Sequence, residues 1–149
     1  MNLLRKFFHL PPREKYLFFK TVFLLASYRI QLKTTPLQKV LRCVTSDSQK
    51  ILQVTTYQSI APKRLATIII GASRIVPCTT CLSQALTGKR VFAEHGYKTQ
   101  LHIGVHRDIT VTFKAHAWLS LGDDILLGYR SNLYQYKEFS SPFAPKEIL

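Results

Sequence analysis

Residues 79–107 read TTCLSQALTGKRVFAEHGYKTQLHIGVHR and residues 113–128 read FKAHAWLSLGDDILLG, and these two stretches decide the fold. The first stretch predicts a helix, because Thr80 is a favoured capping residue and the apolar residues after Cys81 recur along one stripe. Gly96 is a typical helix stop. We therefore expect a helix that begins at Cys81 and ends before Gly96.

The residues after this helix alternate or are rich in β-branched and aromatic side chains, which is typical of strands. We predict one strand over 100–105, a turn at 107–108 and a second strand over 110–121. The Gly-Asp-Asp triplet at 122–124 suits a hairpin turn into a third strand over 125–129. The tail beyond it has no regular pattern. A small antiparallel sheet should therefore follow the helix.

The N-terminal half predicts three more helices. The proline pair at 11–12 suits the first turn of a helix that runs to about Lys33. Residues 37–44 are apolar at helical spacing and predict a short second helix, which polar residues 46–48 should end. Pro62 opens a third helix, which must be largely buried because it is so apolar.

These patterns predict an α+β fold, with the N-terminal helices and the Cys-bearing helix packed on a small antiparallel sheet. The chain has 149 residues, of which 46% are hydrophobic and 11% aromatic, and this composition excludes disorder as its overall state. We expect a single domain over 1–149, with a helical part over 1–60 and a catalytic core over 61–149.

The chain is strongly basic, with a formal net charge of +13 from 21 Lys and Arg against 8 Asp and Glu. Such a charge attracts acidic peptides, nucleic acids or anionic membranes. The basic residues are scattered rather than gathered with aromatics, so we expect no nucleic-acid partner. A membrane-surface contact is a further expectation, because the apolar stretch 16–30 contains Lys20 and Arg29 and is shorter than the roughly 20 residues of a membrane span.

The cysteine content and the N-terminus predict a cytoplasmic location. Cys43, Cys78 and Cys81 make no even disulfide framework. The N-terminus lacks the apolar run and small-residue cleavage site of a signal peptide.

Cys81 and His116 are the pair that points to catalysis. Unpaired N–H groups and the helix dipole at a helix start favour the thiolate, which is the nucleophilic form of cysteine. His116 lies mid-strand, so its imidazole has a fixed direction from which to take the thiol proton and pass it to a leaving amine. A Cys-bearing helix followed by a sheet that presents a His is the chain order of papain-like and transglutaminase-like enzymes.

The other cysteines leave alternatives open. Cys43 lies in an apolar helix and is expected to be a buried packing residue. Cys78 and Cys81 form a C-x-x-C motif, which is also typical of a redox pair or of half a zinc site completed by His102 and His106. A redox motif needs a preceding strand, and the two histidines should lie about 13 Å apart on one strand face, too far for one zinc ion. We therefore expect no metal and no cofactor.

The sequence resembles the B2 proteins of lasso peptide biosynthesis, which are leader peptidases. The characteristic pieces are T-C-L-x-x-A-L at 80–86, G-x-x-x-x-L-x-I-G-V at 96–105 and A-H-A-W at 115–118. The likeness extends upstream through ASRIVP at 72–77 and, more loosely, to residues 10–26.

The resemblance implies hydrolysis of the bond between leader and core of a ribosomally made precursor peptide, with Cys81 as nucleophile and His116 as base. It also implies three partners: the precursor peptide, a separate B1-type leader-binding protein and a lasso cyclase similar to asparagine synthetase. The family's orienting Asp, when present, lies on the strand after the His-bearing one, where residues 125–129 contain no carboxylate. Three possibilities remain for the group that orients His116: it is Asp124, it is a backbone carbonyl, or there is none.

Several further roles stay open at the level of sequence. The backbone N–H of Cys81 is the first candidate donor to an oxyanion, and Arg74, Thr79 or Thr80 are candidates for the second. Trp118 either walls the cleft or packs in the core. Two rival functions are a non-catalytic peptide-binding scaffold of the same fold, because the strand carboxylate is missing, and a membrane-surface assembly factor, because the chain is basic and its first helix apolar.

Overall fold

A computed structural model of the chain describes residues 9–55, 60–107 and 112–139. The helices are α1 (Pro12–Thr34), α2 (Leu37–Val54), α3 (Pro62–Ser73) and α4 (Cys81–Glu94). The strands are β1 (Gln100–Arg107), β2 (Phe113–Leu121), β3 (Asp124–Leu127) and β4 (Lys137–Glu138), with a short 3₁₀ helix, Leu133–Gln135, before β4. Pairing is antiparallel throughout the order β3-β2-β1-β4. The predicted α+β fold is confirmed.

The helices cover one face of the sheet. Leu119 of β2 and Leu127 of β3 are at most 1% exposed and share one apolar cluster with side chains of α1, α3 and α4. The β1–β2 register is continuous from Gln100↔Ser120 to Arg107↔Phe113, so β2 alternates regularly between its two faces. His116 therefore lies on the face opposite Leu119.

Helix α4 approaches the sheet closely at Gly88. A Cβ atom added at Gly88 would lie 2.3 Å from Leu127 Cδ1 and 3.0 Å from Leu119 Cδ2. The absent side chain therefore lets the backbone of α4 rest on β2 and β3. This contact fixes the Cys-bearing helix to the His-bearing strand.

Helices α1, α3 and α4 begin where the sequence predicts, whereas the predicted end of the second helix is wrong. Residues 46–48 do not end α2, which continues to Val54. Ser48 is only 2% exposed, and Asp47 lies 3.7 Å from the Arg90 guanidinium of α4. The ion pair is half-exposed and adds little, so the helix continues because its buried face, which includes Val44, packs on Leu86 of α4. Cys43 was predicted to be buried, but it is exposed on α2.

The sheet also departs from the sequence pattern in two places. Strand β1 runs through Arg107, which was predicted to start a turn, while Asp108 and Thr110 lie outside the described residues. The predicted turn at Gly122 is confirmed. The segment after β3 was predicted to be irregular, yet it supplies β4, which pairs with β1 at only two positions. Such a short edge strand has too few residues to give a periodic signal.

No helix within the three described ranges is long and apolar enough to cross a membrane.

Candidate active site

Cys81 is the first residue of α4, and a capping box fixes this helix start. Ser83 N donates to Thr80 Oγ1 at 3.2 Å, and Thr80 N donates to Ser83 Oγ at 3.0 Å. Ser83 is fully buried, so water does not compete for these bonds. The thiol is partly exposed at the positive end of the helix dipole. The prediction that a helix capped by Thr80 begins at Cys81 is confirmed.

Residue spacing puts Cys81 and His116 at similar distances from the contact between α4 and β2. Only residues 95–99 connect α4 to β1, so α4 runs antiparallel to β1 and parallel to β2. Gly88 contacts Leu119, and Cys81 precedes Gly88 by two helical turns, or about 10 Å. His116 precedes Leu119 on β2 by three residues, which is also about 10 Å.

One ring nitrogen of His116 is fixed by a backbone carbonyl. Nε2 lies 2.7 Å from the carbonyl oxygen of Gly128, which can only accept, so Nε2 carries the hydrogen. In the neutral ring Nδ1 then has the lone pair. Nδ1 is buried and has no hydrogen-bond partner in the described part of the chain. His116 is 4% exposed. Nδ1, the nitrogen with the lone pair, is therefore not occupied by another hydrogen bond.

Gly128 is a residue of the candidate site that the sequence pattern did not identify. Its φ is +77°, and an added Cβ would lie 2.7 Å from the carbonyl oxygen of Ala117 and 3.0 Å from Cα and Cβ of Trp118. Only glycine fits this conformation and this close approach. The carbonyl of Gly128 thus takes the place expected for an orienting carboxylate. A glycine directly after an apolar strand was the one available signal.

Two aromatic rings restrain the His116 imidazole. Trp118 stacks near it, with ring centroids 6.1 Å apart, and Tyr136 lies at 5.6 Å. Both aromatic residues are buried, at 8% and 7% exposure. Gly104 lies beneath them, since a Cβ there would be 3.1 Å from each. Trp118 therefore packs against the imidazole, and Tyr136 is a neighbour that the sequence did not reveal.

The structure does not bring Asp124 to His116. Asp124 is exposed at the start of β3, opposite Leu121. Leu121 is five residues beyond His116 on β2, or about 17 Å.

The helix that carries Cys81 and the side chain of His116 lie on opposite faces of β2. Helix α4 packs on the Leu119 face, whereas His116 shares its face with Trp118, and no hydrogen bond joins the thiol to the imidazole among the residues described. Strand β3 pairs with β2 only at Leu119–Leu121, and at the level of His116 the chain at Gly128 lies against β2 instead.

The three candidates for the second oxyanion donor differ in whether their side chains already make hydrogen bonds. The Thr79 hydroxyl donates to the Val76 carbonyl at 2.8 Å, and the Thr80 hydroxyl belongs to the capping box. Arg74 is exposed immediately after α3. Of the three, Arg74 is the one whose side chain has no hydrogen bond or ion pair in the described part of the chain.

The remaining histidine cluster lies toward β4. His102 Nδ1 is 2.5 Å from a Glu138 carboxylate oxygen, His102 Nε2 is 2.7 Å from Ser120 Oγ, and the ring stacks on Trp118 at 5.3 Å. This cluster ties β4 to the sheet. Within the described ranges, no group of three or more His, Cys, Asp or Glu side chains is placed to hold a metal ion.

Comparison with known proteins identifies the fold family. Residues 22–141 match the model of the transglutaminase-like superfamily, a family that generally has cysteine-type hydrolase or transferase activity. The comparisons with curated proteins and with solved structures found no match. The matched segment spans both Cys81 and His116 and covers most of the chain. On this evidence the chain belongs to the transglutaminase-like superfamily.

Proposed function

We propose that this protein is a cysteine peptidase that removes the leader from a lasso peptide precursor, with Cys81 as nucleophile and His116 as general base and acid. The observation that carries the proposal is the arrangement at His116. One nitrogen is fixed by Gly128, and the other is buried without a hydrogen-bond partner among the described residues. Cys81, for its part, stands at a capped helix start.

The proposed reaction gives each of the two residues one role. Nδ1 of His116 accepts the thiol proton as Cys81 Sγ bonds to the scissile carbonyl carbon, and the backbone N–H of Cys81 stabilises the oxyanion. The C–N bond then breaks, and the imidazolium gives its proton to the departing amine. A water molecule, deprotonated by the same nitrogen, attacks the thioester; the acid product leaves and the thiol is restored.

The substrate assignment rests on the resemblance in residues 72–128 to lasso B2 proteins. Such a peptidase acts on a precursor presented by a separate leader-binding protein, and a lasso cyclase then uses the released core amine. The basic surface, with its net charge of +13, suits acidic segments of these partners. Cytoplasmic action is part of the same proposal.

Leader release provides the test. The full chain is incubated with the precursor and the leader-binding protein encoded beside it, and products are followed by mass spectrometry. Cys81→Ala should abolish release, whereas Cys78→Ala, which changes an exposed thiol three residues earlier, should retain it. Equal release by both variants would remove Cys81 from the mechanism.

A non-catalytic peptide-binding scaffold is the second candidate. Two features of the described structure favour it: no hydrogen bond joins Cys81 to His116, and no carboxylate is hydrogen-bonded to the His116 imidazole. In a scaffold Cys81 should react with iodoacetamide no faster than exposed Cys43, and His116→Ala should not change its rate. In a peptidase Cys81 should react faster, and His116→Ala should slow it.

A further inference from the structure

Helix α1 presents an apolar line to solvent. Tyr16, Phe23 and Ile30 are 69%, 71% and 62% exposed, although large apolar side chains are usually buried. They are spaced by seven residues, which places them on one side of the helix over about 21 Å. We call these three residues the α1 stripe. The opposite side of α1 is already used, since Leu17 and Leu25 lie in the core.

The surroundings of the stripe are basic. Helices α1 and α3, which pack side by side, carry seven basic residues: Arg13, Lys15, Lys20, Arg29, Lys33, Lys63 and Arg64. Their one carboxylate is Glu14, whose side chain is only 15% exposed and is paired with Arg64 at 2.7 Å. Glu94 of α4 pairs with Lys20 at 2.6 Å, so two of the seven basic residues are neutralised by carboxylates. The unneutralised basic residues, which include exposed Arg13, Lys33 and Lys63, leave the surroundings of the stripe positive.

Exposed basic residues also bracket the stripe. Arg13 lies one turn before Tyr16, and Lys33 lies one turn after Ile30, and both are exposed. Aromatic and aliphatic side chains flanked by Lys and Arg are typical of helices that lie in a membrane interface, where the apolar groups enter the acyl boundary and the cations meet anionic headgroups.

From this placement we propose that the α1 stripe docks the protein on an anionic membrane surface, with α1 lying in the interface plane. The charges favour lipid over a second copy of the chain, because stacking two stripes would bring the basic residues of both copies together. The chain's net charge of +13 adds attraction at longer range. The inference is independent of the chemistry at Cys81.

Vesicle sedimentation of the full chain tests the proposal. The protein should sediment with phosphatidylglycerol-containing vesicles and, because charge contributes, at least about tenfold more weakly with pure phosphatidylcholine. The combined variant Tyr16→Ser, Phe23→Ser and Ile30→Ser should lower partitioning to the anionic vesicles at least about tenfold. Tyr134→Ser, which changes an aromatic residue exposed at 83% outside α1, is the matched control and should bind as the unchanged protein does.

A second variant separates charge from apolar insertion. Arg13→Ser with Lys33→Ser should weaken anionic binding by about fivefold for each residue and leave the weak phosphatidylcholine binding unchanged. Because all the changed side chains are on the surface, circular dichroism spectra and melting should stay as in the unchanged protein.

Three outcomes would overturn the proposal. One is absence of vesicle binding, and another is equal binding by the stripe variant and the Tyr134→Ser control. The third is a concentration-dependent dimer in light scattering that the stripe variant abolishes, since a second copy would then cover this face. Loss of leader release would not bear on the inference, because sedimentation needs no catalysis.

Discussion

Gly88→Ala tests whether close packing of α4 on the sheet holds the Cys-bearing helix in place. The added methyl group would lie 2.3 Å from Leu127 Cδ1 and 3.0 Å from Leu119 Cδ2. Both leucines are essentially fully buried, so neither terminal methyl group has open space to move into. The helix must therefore lift from β2 and β3 or force a strained side-chain rotamer.

The net effect follows from two opposing terms. Overpacking of a tight core costs about 1–3 kcal/mol. Replacing glycine by alanine in a helix favours the folded state by about 1 kcal/mol. We expect Gly88→Ala to lower the free energy of unfolding by about 0–2 kcal/mol, even though the same change usually stabilises a helix. The sign of the effect therefore reports the packing contact.

Gly71→Ala is the matched control. Gly71 also lies within a helix, but an added Cβ would make an ordinary contact, 3.6 Å from Phe18 Cε2. This variant should gain about 0.5–1 kcal/mol. Urea unfolding followed by circular dichroism measures both variants, and a Gly88→Ala protein as stable as Gly71→Ala would refute the reasoning. Leu127→Ala added to Gly88→Ala should cost less than the two single changes together, because the new methyl group fills part of the cavity.

Three further changes are predicted. Thr80→Ala should cost about 1 kcal/mol of unfolding free energy in urea titration, because it removes the helix cap, while Thr80→Ser should cost less. Gly128→Ala should lower leader release and stability, because the φ of Gly128 is +77° and an added Cβ would collide with the backbone of β2. The control Gly122→Ala, at a φ of +58° with open space around it, should lower the free energy of unfolding by only about 1–2 kcal/mol and keep leader release. Burial raises the pKa of Tyr28 above its ordinary value of 10.0, although nearby Arg90 opposes the shift. The neutral phenol therefore stabilises the fold below pH 10, and this contribution is lost as the pH rises further. Tyr28→Phe should flatten the decline in stability that urea titrations measure between about pH 9 and 11.

The fold could be predicted from sequence wherever local signals and tertiary packing agree. Thr80 and Gly96 bound α4 by capping chemistry, and Pro62 opens α3, so these limits follow from the residues themselves. The end of α2 could not be predicted, because its buried face, which includes Val44, packs on Leu86 of a helix far along the chain. Strand β4 was missed for the same reason, since its two residues depend on β1 for their conformation.

The candidate site, too, was predictable only where residue type alone carries the signal. Side-chain identity and helix position made Cys81 and His116 recognisable, because their chemistry depends on residue type. The acceptor for Nε2 of His116 is a main-chain carbonyl, which every residue has, so residue type could not mark it. The positive φ of Gly128 is what aims that carbonyl at the imidazole, and this is set by the chain crossing over β2.

A carbonyl in place of a carboxylate separates two tasks that an orienting Asp performs together. The Gly128 carbonyl holds the ring of His116 and fixes its tautomer. A carboxylate would also stabilise the imidazolium by direct charge attraction, and a carbonyl dipole supplies only part of that stabilisation. An aspartate cannot simply be restored at this position, because its Cβ would lie 2.7 Å from the Ala117 carbonyl oxygen. The proposed dyad should then transfer the thiol proton during attack rather than hold a standing ion pair. Such slower chemistry suits a substrate that a partner delivers at high effective concentration, which is the arrangement proposed for the leader.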